Sequence, residues 1–120
     1  MNKRCVGKVA ERIAVTYLKS RGYKILTTNW TCLGGELDIV AYKRKLTFIE
    51  VKSAESGFCS PCDLFNYKKK RHLLRAVNSY LLKNYESATN IPDYSFDLIS
   101  IEKNRGKYNL KHYSNLDLLN

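Results

Sequence analysis

The stretch GELDIVAYKRKLTFIEVK, residues 35–52, has the pattern of two β-strands joined by a short basic turn. Apolar and β-branched residues fill 36–42 and 46–52, and the intervening Lys43-Arg44-Lys45 has an ordinary length for a hairpin connection. Both faces of the hairpin are apolar near the turn, and a strand pair of that kind is covered on both sides. The stretch therefore predicts an inner hairpin of a sheet that carries helices.

The acidic residues of this hairpin are its unusual feature. Ahead of Glu50 the chain has only three acidic residues, which are Glu11, Glu36 and Asp38. If the hairpin is symmetric about its basic turn, Asp38 lies opposite Glu50, and Glu36 lies opposite Lys52. Directly opposite residues have Cβ atoms about 4.5–5.5 Å apart, where two carboxylates repel each other. Such a pair needs a shared proton, nearby cations or a bound metal ion, and oxygen ligands suit Mg²⁺ or Mn²⁺.

A purely structural interpretation of the same four residues stays open at this point. Glu36 and Lys52 can form a cross-strand salt bridge, which leaves Glu50 as a charge at the sheet edge. Two observations favour a metal site held by Asp38 and Glu50. Their neighbours are apolar rather than solvated, and the chain is basic enough to attract a phosphate-bearing substrate.

The flanking segments complete an α/β pattern. Apolar residues at helical spacing predict two helices, and β-branched and aromatic runs predict three strands besides the hairpin. The predicted elements are a helix at 3–20, strands at 23–30, 36–42 and 46–52, a loop at 54–66, a helix at 67–84 and strands at 96–101 and 107–113. This order predicts one domain over residues 1–120 with helices packed on a sheet.

The net charge of the 120-residue chain is +10, which predicts a polyanionic partner, with nucleic acid as the first choice. No apolar run approaches the roughly 20 residues that a membrane helix needs. The N-terminal residues do not have the pattern of a signal peptide. We therefore expect a cytoplasmic protein that binds nucleic acid rather than a membrane.

The four cysteines offer a weaker signal. Cys59-Ser-Pro-Cys62 is a Cys-x-x-Cys pair, but it lies in a stretch rich in Ser and Gly that predicts a loop. Cys32 and His72 are the remaining residues that could complete a zinc site, and neither has the spacing of a zinc finger. Thiol redox chemistry through Cys59 and Cys62 therefore remains a third, disfavoured function.

The second predicted helix, 67–84, carries a basic surface. At 100° per residue, Lys68, Arg71 and Arg75 fall opposite its apolar stripe, and Lys69 falls at the flank, from where it can turn towards the carboxylates. These four residues predict a ridge that contacts nucleic-acid phosphates. The alternative is an ordinary solvated helix face.

Asp38 followed by Glu50-Val51-Lys52 resembles the PD-(D/E)xK signature of restriction-endonuclease-like nucleases. A larger ordered set of motifs resembles the YraN family of small bacterial proteins over nearly the whole chain. The set comprises Ala10-Glu11, Tyr17-Leu18, the 22–29 segment, the 35–41 and 48–52 segments, Lys69 before Leu73-Leu74, and Phe96-Asp97.

The chain departs from the family pattern at two places. Ser53-Ala54 stand where Thr-Arg is usual, which removes a potential phosphate contact, and Ser95 stands where a basic residue is common. Neither departure touches the expected metal ligands.

The resemblance implies an α/β/α sandwich with a central mixed sheet, restriction-endonuclease-like, and a metal-dependent endonuclease that hydrolyses phosphodiester bonds, with DNA as the favoured substrate. In this scheme Asp38 and Glu50 hold Mg²⁺ or Mn²⁺, and Lys52 orients the attacking water or neutralises the transition state. Glu11 supports the metal through water. Glu36 is either an outer carboxylate or the salt-bridge partner of Lys52.

Two further expectations accompany this scheme. The alternative function is a non-catalytic nucleic-acid-binding protein on the same fold. A homodimer is also expected as a partner, because nucleases that cut both strands of a duplex often act in pairs.

Overall fold

The computed structural model describes residues 3–55, 67–85 and 91–118, and its elements follow the predicted order. They are α1 (Lys3–Ser20), β1 (Lys24–Cys32), β2 (Gly35–Lys43), β3 (Lys45–Glu55), α2 (Tyr67–Asn84), β4 (Tyr94–Asn104) and β5 (Lys107–Tyr113). Both helices and β5 have the predicted bounds. The predicted loop at 54–66 begins too early, because β3 continues to Glu55. Residues 56–66, with the Cys59–Cys62 pair, lie outside the described residues.

The sheet is mixed, as predicted. Its five strands lie in the order β1-β2-β3-β4-β5, and β3 and β4 are parallel while the other neighbours are antiparallel. Parallel strands need a crossover connection, and α2 lies in the connection between β3 and β4. This crossover places α2 on one face of the sheet.

Each face of the sheet packs against one helix, which confirms the predicted α/β/α sandwich. One core contains Ala10, Ala14 and Leu18 of α1 with Ile39, Ala41, Ile49, Ile99 and Ile101 of the sheet. The other contains Leu73, Ala76, Val77, Tyr80 and Leu81 of α2 with Leu37, Val40, Leu46, Phe48, Phe96 and Leu98. Neither α1 nor α2, in the part of the chain that the structure describes, is long and apolar enough to cross a membrane.

Two local features set the ends of the elements. Gly22 has a φ of 92°, and the N–H of Tyr23 donates to the carbonyl of Leu18 at 3.0 Å, which closes the C-terminus of α1 where the predicted helix 3–20 ends. The hairpin turns on Arg44, whose φ is 67°, between the paired residues Lys43 and Lys45. The predicted symmetry about Arg44 is therefore confirmed near the turn.

Candidate functional site

The two strands of the hairpin separate where the acidic residues begin. The β2–β3 ladder runs from the Lys43–Lys45 pair to Ile39–Ile49. Beyond that pair, the main-chain N–H of Val51 donates to Oδ2 of Asp38 at 2.9 Å. The ladder keeps the predicted register to its end, but the predicted cross-strand pairs of Asp38 with Glu50 and of Glu36 with Lys52 are wrong, because the ladder stops before them. The carboxylate of Asp38 instead takes up the space between the diverging strands.

The alternation of side chains along β2 also changes at this point. Because side chains alternate along a regular strand, Leu37 would lie on the same face as Ile39, but Leu37 packs in the α2 core while Ile39 packs in the α1 core. On the neighbouring strand, Asn29 has a left-handed φ of 53°, between residues that pair with Ile39 and Leu37. The change in alternation and the left-handed Asn29 therefore occur at the same place in the sheet, where Asp38 accepts the hydrogen bond from Val51.

Glu50 is a buried carboxylate in contact with two ammonium groups. Its exposed fraction is 4%, and its Oε1 lies 3.2 Å from Nζ of Lys69 and 3.6 Å from Nζ of Lys52. Burial and the nearby charge of Asp38 raise the pKa of Glu50 to about 7, against the opposing attraction of the two lysines. Glu50 therefore sits in an environment that a further positive charge would stabilise.

The structural interpretation of Glu36 and Lys52 as a salt bridge is wrong. Lys52 pairs with Glu50, which precedes it by two residues on the same strand and face. Glu36 lines the same cleft as Asp38, and its negative charge helps to raise the pKa of Glu11. The role of an outer carboxylate stays a prediction for Glu36.

Glu11 approaches the same region from α1. Its Oε1 is buried and has no hydrogen-bond partner. Burial, together with the charges of Asp38 and Glu36, raises the pKa of Glu11, whereas a hydrogen bond with Asn29 opposes the rise. A buried carboxylate oxygen without a partner is energetically costly, so this atom is suited to a cation or an ordered water molecule.

The residues present fit a divalent cation as a partial set of ligands. Asp38 and Glu50 supply the hard oxygen donors that Mg²⁺ prefers, and the unpartnered oxygen of Glu11 faces the same negative field. Within residues 3–55, 67–85 and 91–118, no three His, Cys, Asp or Glu side chains are grouped closely enough to form a complete metal cage. Mg²⁺ commonly retains several water ligands and needs only one or two carboxylates.

The site opens into a cleft of about 510 Å³ between β2 and α2. Its lining includes Glu36, Asp38, Glu50, Lys69 and His72. The close approach of α2 depends on a glycine. A Cβ atom on Gly35 would lie 2.9 Å from Cβ of Ala76 and 3.1 Å from the carbonyl oxygen of His72.

The predicted basic residues of α2 divide into two groups. Lys68, Arg71 and Arg75 are exposed and, with His72, line a concavity next to the cleft. Lys69 turns inward to Glu50, which its flanking position on the helix allows. Burial is the largest single influence on the pKa of Lys69 and lowers it, but the charge and hydrogen bond of Glu50, together with Lys52 and Asp38, outweigh burial and raise the pKa.

One buried polar network was missed by the sequence analysis. Asp97 on β4 is 2% exposed, and its Oδ2 accepts a hydrogen bond from Nε2 of His112 at 2.7 Å. The main-chain N–H of Asn115 donates to the other oxygen at 3.1 Å, and the hydroxyl of Tyr17 bonds Nδ1 of His112 at 2.9 Å. This network joins α1, β4 and β5. The Phe96-Asp97 motif was its only signal, and nothing in the sequence indicated His112.

A mixed sheet between two helices, with Asp38 and Glu50-Val51-Lys52 at its diverging strands, is compatible with a restriction-endonuclease-like α/β fold. Residues 10–101 match the model of the uncharacterised protein family UPF0102, and the chain belongs to this family. This is the family that the sequence motifs indicated.

Curated relatives match over nearly their full length. A UPF0102 protein of Alkaliphilus oremlandii is 39% identical over 119 residues, covering 96% of this chain and 98% of the relative. A UPF0102 protein of Carboxydothermus hydrogenoformans is 38% identical over 120 residues, with coverages of 97% and 98%. The similarity therefore includes both helices and all five strands.

Proposed function

We propose that this protein is a cytoplasmic, metal-dependent endonuclease that hydrolyses phosphodiester bonds in nucleic acid, with DNA as the favoured substrate. The observation that carries the proposal is the buried carboxylate of Glu50, placed beside Asp38 and two lysines at the end of a cleft. Buried carboxylates with a raised pKa and a specific charge partner, placed in a cleft, cluster at functional sites. The basic character of the chain suits a phosphate-bearing substrate.

Asp38 and Glu50 are the proposed ligands of Mg²⁺ or Mn²⁺, and the main-chain carbonyl of Val51 is a further oxygen donor. A divalent cation at this position supplies Lewis-acid polarisation of the phosphate and lowers the pKa of water. Lys52 orients the attacking water and balances the negative charge that develops on the phosphate. Glu11 contributes its unpartnered oxygen to the water structure, and Glu36 adds to the negative field of the site.

The exposed cations of α2 are the proposed contacts to the nucleic-acid backbone. Lys68, Arg71 and Arg75 border the cleft, so a strand lying across them passes the carboxylates. Arginine suits this role because its guanidinium binds phosphate in a bidentate manner. A homodimer remains part of the proposal for the cleavage of both strands of a duplex.

A second candidate function is nucleic-acid binding without catalysis. The observation that favours it is that no third ligating side chain joins Asp38 and Glu50 in a metal cage among the described residues. Binding of this kind depends on salt, because the protein releases counterions from the phosphates. It does not depend on the carboxylates.

Cleavage assays with charge-matched variants separate the two functions. Supercoiled plasmid, single-stranded DNA, branched DNA and RNA are incubated with the protein in Mg²⁺, Mn²⁺ or EDTA. The endonuclease proposal expects metal-dependent cleavage that Asp38→Asn and Glu50→Gln abolish and that Asp93→Asn, an exposed control that directly precedes β4, retains. Equal background cleavage by all four proteins, with binding that the carboxylate variants leave unchanged, supports the binding protein instead.

A further inference from the structure

The ammonium group of Lys69 contacts Oε1 of Glu50, an oxygen that would bind the proposed metal ion. Nζ of Lys69 is 3.2 Å from Oε1 of Glu50, closer than Nζ of Lys52 at 3.6 Å, and both lysines contact the same oxygen. Lys69 reaches this oxygen from α2, across the cleft, whereas Lys52 lies on the same strand as Glu50. The carboxylate therefore has one counter-ion from its own strand and one from the opposite wall.

The two lysines differ in the element that carries them and in the space around them. Lys52 is two residues from Glu50 on the same strand and face, so it stays near Glu50 whichever rotamer it adopts. Lys69 is a flexible side chain on a separate element; it lines the cleft, and 34% of it is exposed. Lys69, unlike Lys52, lines the cleft, so its ammonium group can leave Glu50 and stay in the space where a substrate phosphate would lie.

A divalent cation and the ammonium of Lys69 compete for Glu50. A Mg²⁺ ion bound through a carboxylate oxygen sits about 2.0–2.1 Å from it, which would place two positive centres close together on Oε1 of Glu50. Like charges at such a distance repel strongly in a partly buried site. The ammonium must then leave, and the cleft lined by Lys69 is where a substrate phosphate would lie.

We propose that Lys69 is an exchangeable counter-ion: it occupies the metal position at Glu50 in the metal-free protein and moves to the substrate phosphate when a divalent cation takes its place. This inference rests on the proposed metal site. It assigns to Lys69 a role distinct from that of the exposed Lys68, Arg71 and Arg75. Metal binding thereby creates a phosphate-binding group inside the cleft, so that metal and nucleic acid bind with positive cooperativity.

The first test measures Mn²⁺ binding in the absence of nucleic acid, by calorimetry, for wild type, Lys69→Met, Lys69→Arg and Lys68→Met. Lys69→Met removes the competing charge and is expected to bind Mn²⁺ about tenfold more tightly than wild type. Lys68→Met is the matched control, because it removes the same charge from an exposed position one residue away. Lys69→Arg keeps the charge and is expected to stay close to wild type.

The second test measures the coupling between metal and DNA. The affinity for a short duplex is measured by fluorescence anisotropy in EDTA and in Ca²⁺, which substitutes for the catalytic ion in binding experiments. Wild type is expected to bind DNA more tightly with Ca²⁺, and Lys69→Met is expected to lose most of that gain, because coupling between two ligands is reciprocal. The Lys68→Met control should keep the gain even if its overall affinity falls.

The outcomes distinguish this inference from the proposed function. Equal or weaker Mn²⁺ binding by Lys69→Met, with wild-type binding that Asp38→Asn abolishes, overturns the counter-ion exchange and leaves the metal site intact. Wild-type Mn²⁺ binding that Asp38→Asn and Glu50→Gln do not weaken overturns the metal site and the exchange together.

Discussion

Replacing Glu50 with glutamine is expected to stabilise the metal-free protein at neutral and alkaline pH and to leave its stability at low pH unchanged. Glu50 is 4% exposed, and its pKa is raised from 4.5 to about 7, mainly by burial and then by Asp38. Between these two values the native protein keeps a proton that the unfolded chain releases. The free energy of unfolding of wild type therefore falls as the pH rises through this window.

The size of the effect follows from the pKa shift. A shift from 4.5 to about 7, at about 1.4 kcal/mol per unit, corresponds to about 3 kcal/mol of lost stability above pH 7. Below about pH 4.5, both the native and the unfolded chain carry a protonated Glu50, and this cost is absent. Glutamine resembles the protonated acid in shape and cannot ionise, so the Glu50→Gln variant is free of the cost at every pH.

Urea denaturation in EDTA at a series of pH values between 4.5 and 8.5 measures the effect. The difference in the free energy of unfolding between Glu50→Gln and wild type should grow from near zero at the acidic end to about 3 kcal/mol at the alkaline end. Asp93→Asn is the control for the loss of one negative charge at an exposed position. Parallel pH profiles for Glu50→Gln and wild type would refute the assignment of a buried, ionisable carboxylate at this position.

Three other perturbations test the site and its support. At pH 8, Mg²⁺ at 100 times its dissociation constant should stabilise wild type by about 2.7 kcal/mol and leave the stability of Asp38→Asn unchanged, as measured by thermal denaturation. Equal shifts in the melting temperature of the two proteins would place the ion elsewhere. In urea denaturation, His112→Ala should lower the free energy of unfolding by about 2–4 kcal/mol, because it removes the imidazole that lies 2.7 Å from the buried Asp97. Tyr17→Phe removes only the bond to the far side of that imidazole and should lower it by about 1 kcal/mol. Similar small losses for both variants would mean that water replaces the imidazole. Gly35→Ala should lower the free energy of unfolding by about 1–3 kcal/mol, because the added Cβ would lie 2.9 Å from Cβ of Ala76. Adding Ala76→Gly should recover part of this loss. No recovery in the double variant would show that the contact with the main chain of His72 dominates.

The order of the elements could be read from the sequence because each element has a local period. Apolar residues recur at helical spacing in 3–20 and 67–84, and both helices form with those bounds. The hairpin around Arg44 alternates and is apolar on both faces, which requires a layer on each side of the sheet. Local spacing also placed Lys68, Arg71 and Arg75 on the exposed side of α2.

The scarcity of acidic residues was enough to single out Asp38 and Glu50 as a pair. Their arrangement was beyond the reach of the sequence, because strict alternation assumes a ladder that continues through them. The ladder stops at Ile39–Ile49, and the left-handed Asn29 of the neighbouring strand accompanies the turn of Asp38 into the gap. The end of a ladder and a left-handed residue are local departures from regular strand geometry, and no periodic pattern of residues records them.

The partners of the buried charges were likewise decided by tertiary structure alone. Lys69 meets Glu50 because Gly35 lets α2 lie close against β2, and Asp97 meets His112 because β4 and β5 pair in one register. The bond from Tyr17 to His112 joins residues that are 95 positions apart. The sequence by itself determined which segments become helices and strands, since that depends on neighbours along the chain. Only the packed fold decided which charges share a desolvated space, since that depends on contacts between segments that are distant in sequence.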